Sequence, residues 1–330
     1  MKLIIQIPCF NEEETLPQTI RDLPRVVEGV DIVEWLVIDD GSSDDTVEVA
    51  RSLGVDHIIS HGRNRGLAAA FRTGIDACLR RGADVIVNTD ADNQYDGGSI
   101  EALVRPVLAG EADMVVGERP IESIDDFSRI KKWLQRMGSS VVRKFSGTGV
   151  RDAASGFRAY GRDAALRVQV FGRYTYTMET IIQAGWNDIS VASVPIRVNP
   201  KTRESRLVRS VPRYVWRSAQ TIVRSFALYK PFRFFLLAGL VPFVLGSTLL
   251  LRWSILYFVD DVYQSRLPSL LSGIGLILVA GQFWAVGFLA DLMAANRRVL
   301  QELRFESRRT SLDQAWRSDE HEAAINRTTL

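Results

Sequence analysis

Val85-Ile86-Val87-Asn88-Thr89-Asp90-Ala91-Asp92-Asn93-Gln94-Tyr95 is the stretch that decides the fold. An apolar, β-branched run ends in two carboxylates separated by one residue, so it reads as a buried strand closing on a polar turn. Residues two apart share a side of the pleat, which points both aspartates the same way. Oxygen donors at this spacing suit a hard divalent cation, Mg2+ or Mn2+, that keeps positions open for the oxygens of a diphosphate. A plain turn after a strand would explain the same residues, so the neighbours must decide.

Working outward, apolar strand-like runs alternate with helical ones. Leu3 to Pro8 precedes a helix from about Glu13 to Val27, Glu34 to Ile38 precedes Asp44 to Leu53, and His57 to Ile59 precedes Leu67 to Arg80. Val85 to Thr89 precedes Ser99 to Leu108, and Met114 to Val116 follows. Such alternation with short connections is that of an α/β fold with a mostly parallel sheet covered on both faces. Ligands bind such sheets at the carboxyl ends of the strands. Asn11 and Glu12, Asp39 and Asp40, Asp90 and Asp92, and Arg119 all fall there. Asp39-Asp40-Gly41-Ser42 is also a serviceable strand-to-helix turn, but a turn does not require two carboxylates.

The 330 residues are 46% hydrophobic and 24% charged, which excludes a disordered, collagenous or coiled-coil chain. Lys and Arg (41) balance Asp and Glu (39) overall, yet the bases crowd the last part of the chain and the acids the first, so the two halves differ in task. Cys9 and Cys78 lie in unrelated apolar contexts, which argues against a disulfide framework or thiolate metal site. No metal-binding histidine pair, nucleophile elbow or phosphate loop of the G-x-x-x-x-G-K type occurs.

Two later segments are of another kind. Phe234 to Leu251 and Leu267 to Ala290 are free of charge over about 18 and 24 residues, or about 27 and 36 Å of helix, against a hydrocarbon core of about 30 Å. Neither is amphipathic, and Trp253, Tyr257, Tyr263 and Trp284 lie in or beside them, so they read as transmembrane helices of about 234–257 and 267–290. Arg209, Arg213, Arg217, Arg224, Lys230 and Arg233 precede the first and Arg297, Arg298, Arg304, Arg308 and Arg309 follow the second, while the connection carries Asp260, Asp261 and Arg266. The positive-inside rule then places both termini in the cytoplasm of an integral plasma-membrane protein.

The expected organisation is a cytoplasmic domain over 1–208, a basic interfacial helix over 209–232, two spans within 233–295 and a polar tail over 296–330. Within the first domain, 126–145 reads as a second basic amphipathic helix, with Phe127, Ile130, Leu134, Met137 and Val141 at helical spacing among Arg129, Lys131, Lys132 and Arg136. Such helices lie in anionic membrane surfaces; a solvated helix face packed on the sheet is the plainer alternative. The tail after Leu303 is polar and reads as mobile.

The ordered set Pro8-Cys9-Phe10-Asn11-Glu12, Asp39-Asp40-Gly41-Ser42, Asn64-Arg65-Gly66-Leu67-Ala68, Asp90-Ala91-Asp92-Asn93-Gln94, Gly117-Glu118-Arg119, Asp152-Ala153-Ala154-Ser155-Gly156-Phe157-Arg158 and Lys201-Thr202-Arg203-Glu204-Ser205-Arg206-Leu207 resembles the motifs of family 2 glycosyltransferases of the GT-A fold. Within them it is most similar to the polyprenyl-phosphate sugar synthases, of the dolichyl-phosphate mannose synthase type. The resemblance spans about the first 210 residues.

It implies a donor nucleotide-sugar site at Pro8, Cys9, Phe10, Asn11, Glu12, Ile38, Asp39, Asp40, Asp90, Ala91 and Asp92, and an Mg2+ or Mn2+ site at Asp90, Asp92 and Gln94. It implies further that Arg119, Ser155, Arg203, Ser205 and Arg206 border the acceptor phosphate. The last motif often reads R-G-E-S-K in relatives; here the glycine is missing and Arg206 stands where Lys is usual. Asp152 orients a donor or acceptor group, or forms a structural salt bridge to Arg151 or Arg158. Asp90, Asp92, Gln94, Arg119, Asp152 and Arg206 form the expected catalytic set.

The implied partners are a GDP- or UDP-sugar, a polyprenyl (undecaprenyl or dolichyl) phosphate and the membrane. A lipid monophosphate has a second pKa near 6, so it is already nucleophilic at neutral pH and needs no strong general base. The protein's task is to bring two anions together, which is work for a divalent metal and arginines. In-line attack on C1 would invert the anomeric centre. A processive polysaccharide synthase of the same fold is the rival, but it would carry a Q-x-x-R-W motif and more spans. A catalytically degenerate membrane scaffold is the second. Nucleic acid is not an expected partner, because the basic residues cluster beside the spans. Glycines in the spans allow close packing within a chain or between copies.

Overall fold

The computed structural model describes residues 1–120, 138–143, 146–170, 176–187, 189–200, 216, 220, 223–224, 226–228, 230–259 and 267–328. It divides into two compact units, Met1–Ile222 with Phe305–Leu330, and Val223–Arg304.

The first unit is built on a seven-stranded sheet. In chain order its elements are β1 (Lys2–Cys9), α1 (Leu16–Asp22), β2 (Ile32–Asp39), α2 (Thr46–Ser52), β3 (His57–Ser60), α3 (Leu67–Arg80), β4 (Val85–Asn88), α4 (Ile100–Leu108), β5 (Met114–Glu118), β6 (Arg158–Gly161), α5 (Arg162–Arg167), α6 (Thr177–Ala184) and β7 (Val191–Pro195). The strand order is β3-β2-β1-β4-β6-β5-β7. β1, β2, β3 and β4 are mutually parallel, β7 is parallel to β5, and β6 alone runs antiparallel between β4 and β5.

Why these strands are central follows from their residues. β1 has two covered faces and is apolar at nearly every position, with Leu3, Ile4, Ile5 and Ile7 fully buried. Ile5, Ile7, Val87, Leu103 and Phe157 join one core cluster beneath α1 and α4. Ile38 packs on the other face, under α3, where a Cβ on Gly74 would lie 2.8 Å from its Cδ1 and 2.2 Å from Gln6 Oε1. The chain order reverses between β1 and β4, and this is the crevice at which open α/β sheets bind ligands.

The five alternating strands expected from the sequence are present, and β6 and β7 join them. Helix α1 is shorter than the periodicity suggests, because Leu23 takes extended geometry ahead of Pro24. Of the expected basic helix at 126–145, residues 138–143 are helical and most of the rest lies outside the described residues; so does most of 209–232.

In the second unit, α7 (Pro231–Val259) and the first part of α8 (Leu267–Thr328) are both long and apolar enough to cross a membrane, with mean hydropathies of 2.3 and 1.9 over their most apolar stretches. Only 11% and 17% of those stretches is buried, and Val241, Leu245, Leu271, Leu278 and Phe288 stand exposed. A helix apolar all round and still exposed calls for lipid rather than water as its neighbour. The two pack through small residues: Gly246 against the Gly273 carbonyl, Gly239 against Trp284, and Gly287 against Phe235.

The expected mobile tail is instead helix through Thr328. From Asp291 to Thr328 there is no glycine or proline, so loss of apolarity marks the end of the span but not of the helix. Within the first unit Phe305 is buried under the Arg167 guanidinium at 4.0 Å, and Arg308 bonds Asp76 Oδ1 at 2.8 Å and approaches the Leu166 carbonyl at 3.5 Å.

Candidate active site

The carboxyl ends of β1, β2 and β3 are laced together before any ligand is considered. The Asp40 amide donates to the Cys9 carbonyl at 2.8 Å and the His61 amide to the Asp39 carbonyl at 2.9 Å. The β1 loop crosses to the β2 loop through Asn11: its amide donates to Ser42 Oγ and its Oδ1 accepts from the Ser43 amide. The Glu12 amide donates to Thr46 Oγ1. Asn11 takes a left-handed φ of 54°, as does Asn93 beside the aspartates, and such conformations in non-glycine residues concentrate at functional sites.

Of the expected donor residues, Phe10 is exposed at the mouth, Asn11 is partly so, and Glu12 is buried near Asp90. Cys9 and Ala91 belong to the core cluster and Ile38 packs under α3, so these three, like buried Pro8, offer the site their backbone. Asp39 accepts from the Ser42 amide. Burial holds the Cys9 thiol far above its usual pKa, which removes it from ionic chemistry.

Asp90 and Asp92 lie on a turn just past β4 rather than on the strand, so proximity rather than pleat alternation unites them. The Asp90 carboxyl is pushed up to about 7, first by burial and then by the charge of Asp92, against the pull of Arg119. Glu12 raises it further and Arg158 lowers it. Four carboxylates, Asp90, Asp92, Glu12 and Asp152, thus gather around two guanidiniums, an excess of negative charge that a bound cation would relieve. Among the described residues no three His, Cys, Asp or Glu side chains surround one point. Gln94 follows on the same turn, its backbone amide donating to Asp92 Oδ1 at 3.2 Å; a carboxylate pair of this kind is an open donor set, suited to Mg2+ or Mn2+ shared with substrate oxygens rather than held in an all-protein cage.

Asp152 makes its salt bridge with Arg119, rather than with its expected neighbours in sequence, Arg151 or Arg158. It is fully buried and takes both Nε and Nη2 of Arg119, while Arg151 approaches Glu118 at 3.9 Å. Burial acts against the Arg119 charge, but Asp152 more than offsets it and the guanidinium stays ionised.

Several supporting contacts are not legible in the sequence. Arg158 is fully buried, its nitrogens bonded to the Ser155 and Ala153 carbonyls and Thr180 Oγ1. Asn88 donates to the Gly156 carbonyl and to the Tyr176 hydroxyl, and the Gly156 amide donates to the Tyr95 hydroxyl. Tyr176 stacks on Phe71 at 3.9 Å and Tyr95 on Phe157 at 4.9 Å. This network presses the backbone of Gly156 against Asp90, where an added Cβ would sit 3.2 Å from Oδ2. Ser155 is buried beside it, its hydroxyl without a partner among the described residues. The segment holding Arg203, Ser205 and Arg206 lies outside the described residues; the chain enters it from Asn199, whose amide donates to the Gln94 carbonyl at 2.9 Å.

Comparison with known proteins bears on the family and the fold. The sequence pattern of Glycosyl transferase family 2 matches residues 4–168. The polyprenol monophosphomannose synthase of Mycolicibacterium smegmatis is 30% identical over 210 residues, which cover 59% of this chain and 76% of the relative. The undecaprenyl-phosphate mannosyltransferase of Micrococcus luteus is 31% identical over 176 residues, covering 52% and 70%. Among solved structures, glucosyl-3-phosphoglycerate synthase from Mycobacterium tuberculosis, in complex with Mn2+, UDP-glucose and phosphoglyceric acid, superposes with a TM-score of 0.54. That match covers 68% of this chain and 79% of the other at 22% identity, a likeness of fold.

Proposed function

The chain belongs to glycosyl transferase family 2, and from that premise we propose that it moves a single sugar, with inversion, from a nucleotide-diphosphate sugar to a polyprenyl phosphate at the cytoplasmic membrane face. The observation that carries this reading is the meeting of the Asp90 and Asp92 carboxylates with the Asp152-held Arg119 guanidinium at the β1/β4 crevice. A carboxylate pair for a metal diphosphate beside a cation for a second phosphate is the equipment for joining two anions. The curated relatives named above, a polyprenol monophosphomannose synthase and an undecaprenyl-phosphate mannosyltransferase, support a polyprenyl-phosphate acceptor. Two apolar helices give such an acceptor a reason to be within reach.

In this reading residues 1–208 form the catalytic domain and 233–295 the membrane part, with both termini cytoplasmic. Phe10, Asn11, Glu12, Asp39 and Asp40 hold the nucleoside side of the donor. Asp90, Asp92 and Gln94 hold Mg2+ or Mn2+, which when bound supplies Lewis-acid stabilisation to the departing diphosphate. Arg119, with Ser155, Arg203, Ser205 and Arg206, receives the acceptor phosphate. Its dianion is nucleophilic without a base, so these side chains hold it in line with C1 and neutralise charge as the bond forms.

The test is to incubate the detergent-solubilised full chain with labelled GDP- and UDP-sugars, with and without polyprenyl phosphate and Mg2+ or Mn2+, and to count label extracted into organic solvent. Label that enters the lipid phase only with both additions supports the reading and names the sugar. No lipid-linked label from any donor overturns it.

A further inference from the structure

The turn after β3 is displayed by a buried clamp built on Asp40 and His61. Asp40 Oδ1 accepts from His61 Nδ1 at 2.7 Å and from the Arg65 amide at 3.0 Å, and Oδ2 accepts from the Gly66 amide at 2.7 Å. A carboxylate offers about four lone-pair directions, so three are committed to one turn of chain. The far nitrogen of His61, Nε2, faces Thr73 Oγ1 of α3 at 3.0 Å, and the imidazole is buried. With Nδ1 carrying the proton toward Asp40, Nε2 accepts from the threonine hydroxyl, and every ring position is used.

The turn is tight as well as tethered. Gly41, at φ 76°, lies directly beneath it, where a Cβ would come within 2.5 Å of the Arg63 carbonyl carbon and 2.7 Å of the Asn64 nitrogen. Above this clamp Arg63, Asn64 and Arg65 are exposed, and neither arginine side chain has a partner among the described residues. Two unpaired cations therefore stand at the carboxyl ends of β2 and β3, in the half of the sheet that binds a mononucleotide in doubly wound folds.

We infer that His61 is a positioning residue for the nucleotide donor: held between Asp40 and Thr73, it fixes the 61–66 turn and presents Arg63 and Arg65 to the anionic donor. The inference rests on the proposed donor site, and it gives Asp40 a second duty, as anchor of the turn. It predicts an effect on donor binding alone, since the clamp lies on the β2 and β3 side and Arg119 lies beyond β4.

The experiment measures binding of UDP-glucose, UDP-N-acetylglucosamine and GDP-mannose to the full chain with Mn2+ by calorimetry, and follows the donor that binds wild type into the transfer assay. His61→Phe keeps ring volume and removes both bonds; a lost hydrogen bond to a charged group corresponds to roughly ten- to a hundredfold weaker binding. KM for the donor is expected to rise by that factor, with kcat at saturating donor and KM for the lipid unchanged. His61→Asn, which restores an N–H toward Asp40, is expected to recover most of the loss, and the Arg63→Ala, Arg65→Ala double variant to reproduce it without lowering Tm. Wild-type donor affinity in folded His61→Phe overturns the inference, as does a fall in kcat alone or an asparagine variant as weak as the phenylalanine one. Should His61→Phe not fold, Thr73→Val decides: it loosens only the outer bond and is expected to weaken binding about threefold, and unchanged affinity overturns the inference. Wild type that binds none of the nucleotide sugars overturns the donor-site reading and this inference with it, whereas donor binding without lipid transfer overturns only the acceptor assignment.

Discussion

One edge of the Arg119 guanidinium is fully matched by Asp152, with Nε 2.7 Å from Oδ2 and Nη2 3.0 Å from Oδ1. The carboxylate is fully buried and the guanidinium 15% exposed, so the pair is a fork-to-fork contact shielded from water. It leaves Nη1 and the second N–H of Nη2 for the proposed acceptor phosphate.

Removing one member of such a pair strands the other. Asp152→Ala is expected to destabilise the fold by roughly 3 to 5 kcal/mol, because a buried guanidinium loses its partner. Arg119→Met with Asp152→Leu removes both charges and is expected to regain most of that stability while leaving transfer abolished. Thermal unfolding of the three variants checks the first part and lipid-linked label the second. A double variant that keeps transfer would take Arg119 out of the site.

Gly156 sits where a methyl group would lie 3.0 Å from the Tyr176 hydroxyl and 3.2 Å from Asp90 Oδ2. Asn88, Tyr95 and Tyr176 hold its backbone, so the carboxylate is the freer party to move. Gly156→Ala is expected to cost about 1 to 3 kcal/mol as overpacking and to raise the Mn2+ concentration needed for half-maximal transfer. A titration of activity against Mn2+ reads the shift, and an unchanged midpoint would mean that Asp90 is not held by this contact.

The pH dependence of the metal-free protein follows from Asp90. Its carboxyl titrates near 7 in the fold and near 3.9 in the unfolded chain, so between these values the folded state binds more protons. This group's stabilising contribution is complete below about pH 4 and is lost as pH rises through about 7. A metal that needs the ionised form binds more tightly as pH rises, by up to about tenfold per unit below 7. Mn2+ is expected to raise Tm more at pH 8 than at pH 5.5, and Asp90→Asn to abolish that increment. Equal increments at both pH values would contradict the assignment of Asp90.

How much of this was legible follows from how local each signal is. β1 to β5 are continuous apolar runs with turn residues at their ends, and the Asp90 to Gln94 stretch declares itself at once. β6 is four residues, Arg-Ala-Tyr-Gly, and it is a strand only because β4 and β5 flank it. The partner of Asp152 was equally hidden: Arg151 and Arg158 are close in sequence, but Arg119, 33 residues away, meets it in space. Asp40 reads as a ligand contact until its three bonds to the 61–66 turn are seen.

Within the first unit the C-terminal segment is held by one aromatic ring more than by its ion pair. Arg308 and Asp76 are 25% and 45% exposed, and such pairs contribute about 0.2 to 1 kcal/mol. Phe305 is only 7% exposed and lies under Arg167, so its truncation is expected to cost about 3 kcal/mol or more. Phe305→Ala should therefore lower Tm clearly more than Arg308→Ala does, and adding Arg308→Ala to it should change little further. Equal losses from the two single variants would show that the charge pair, rather than the buried ring, anchors this helix.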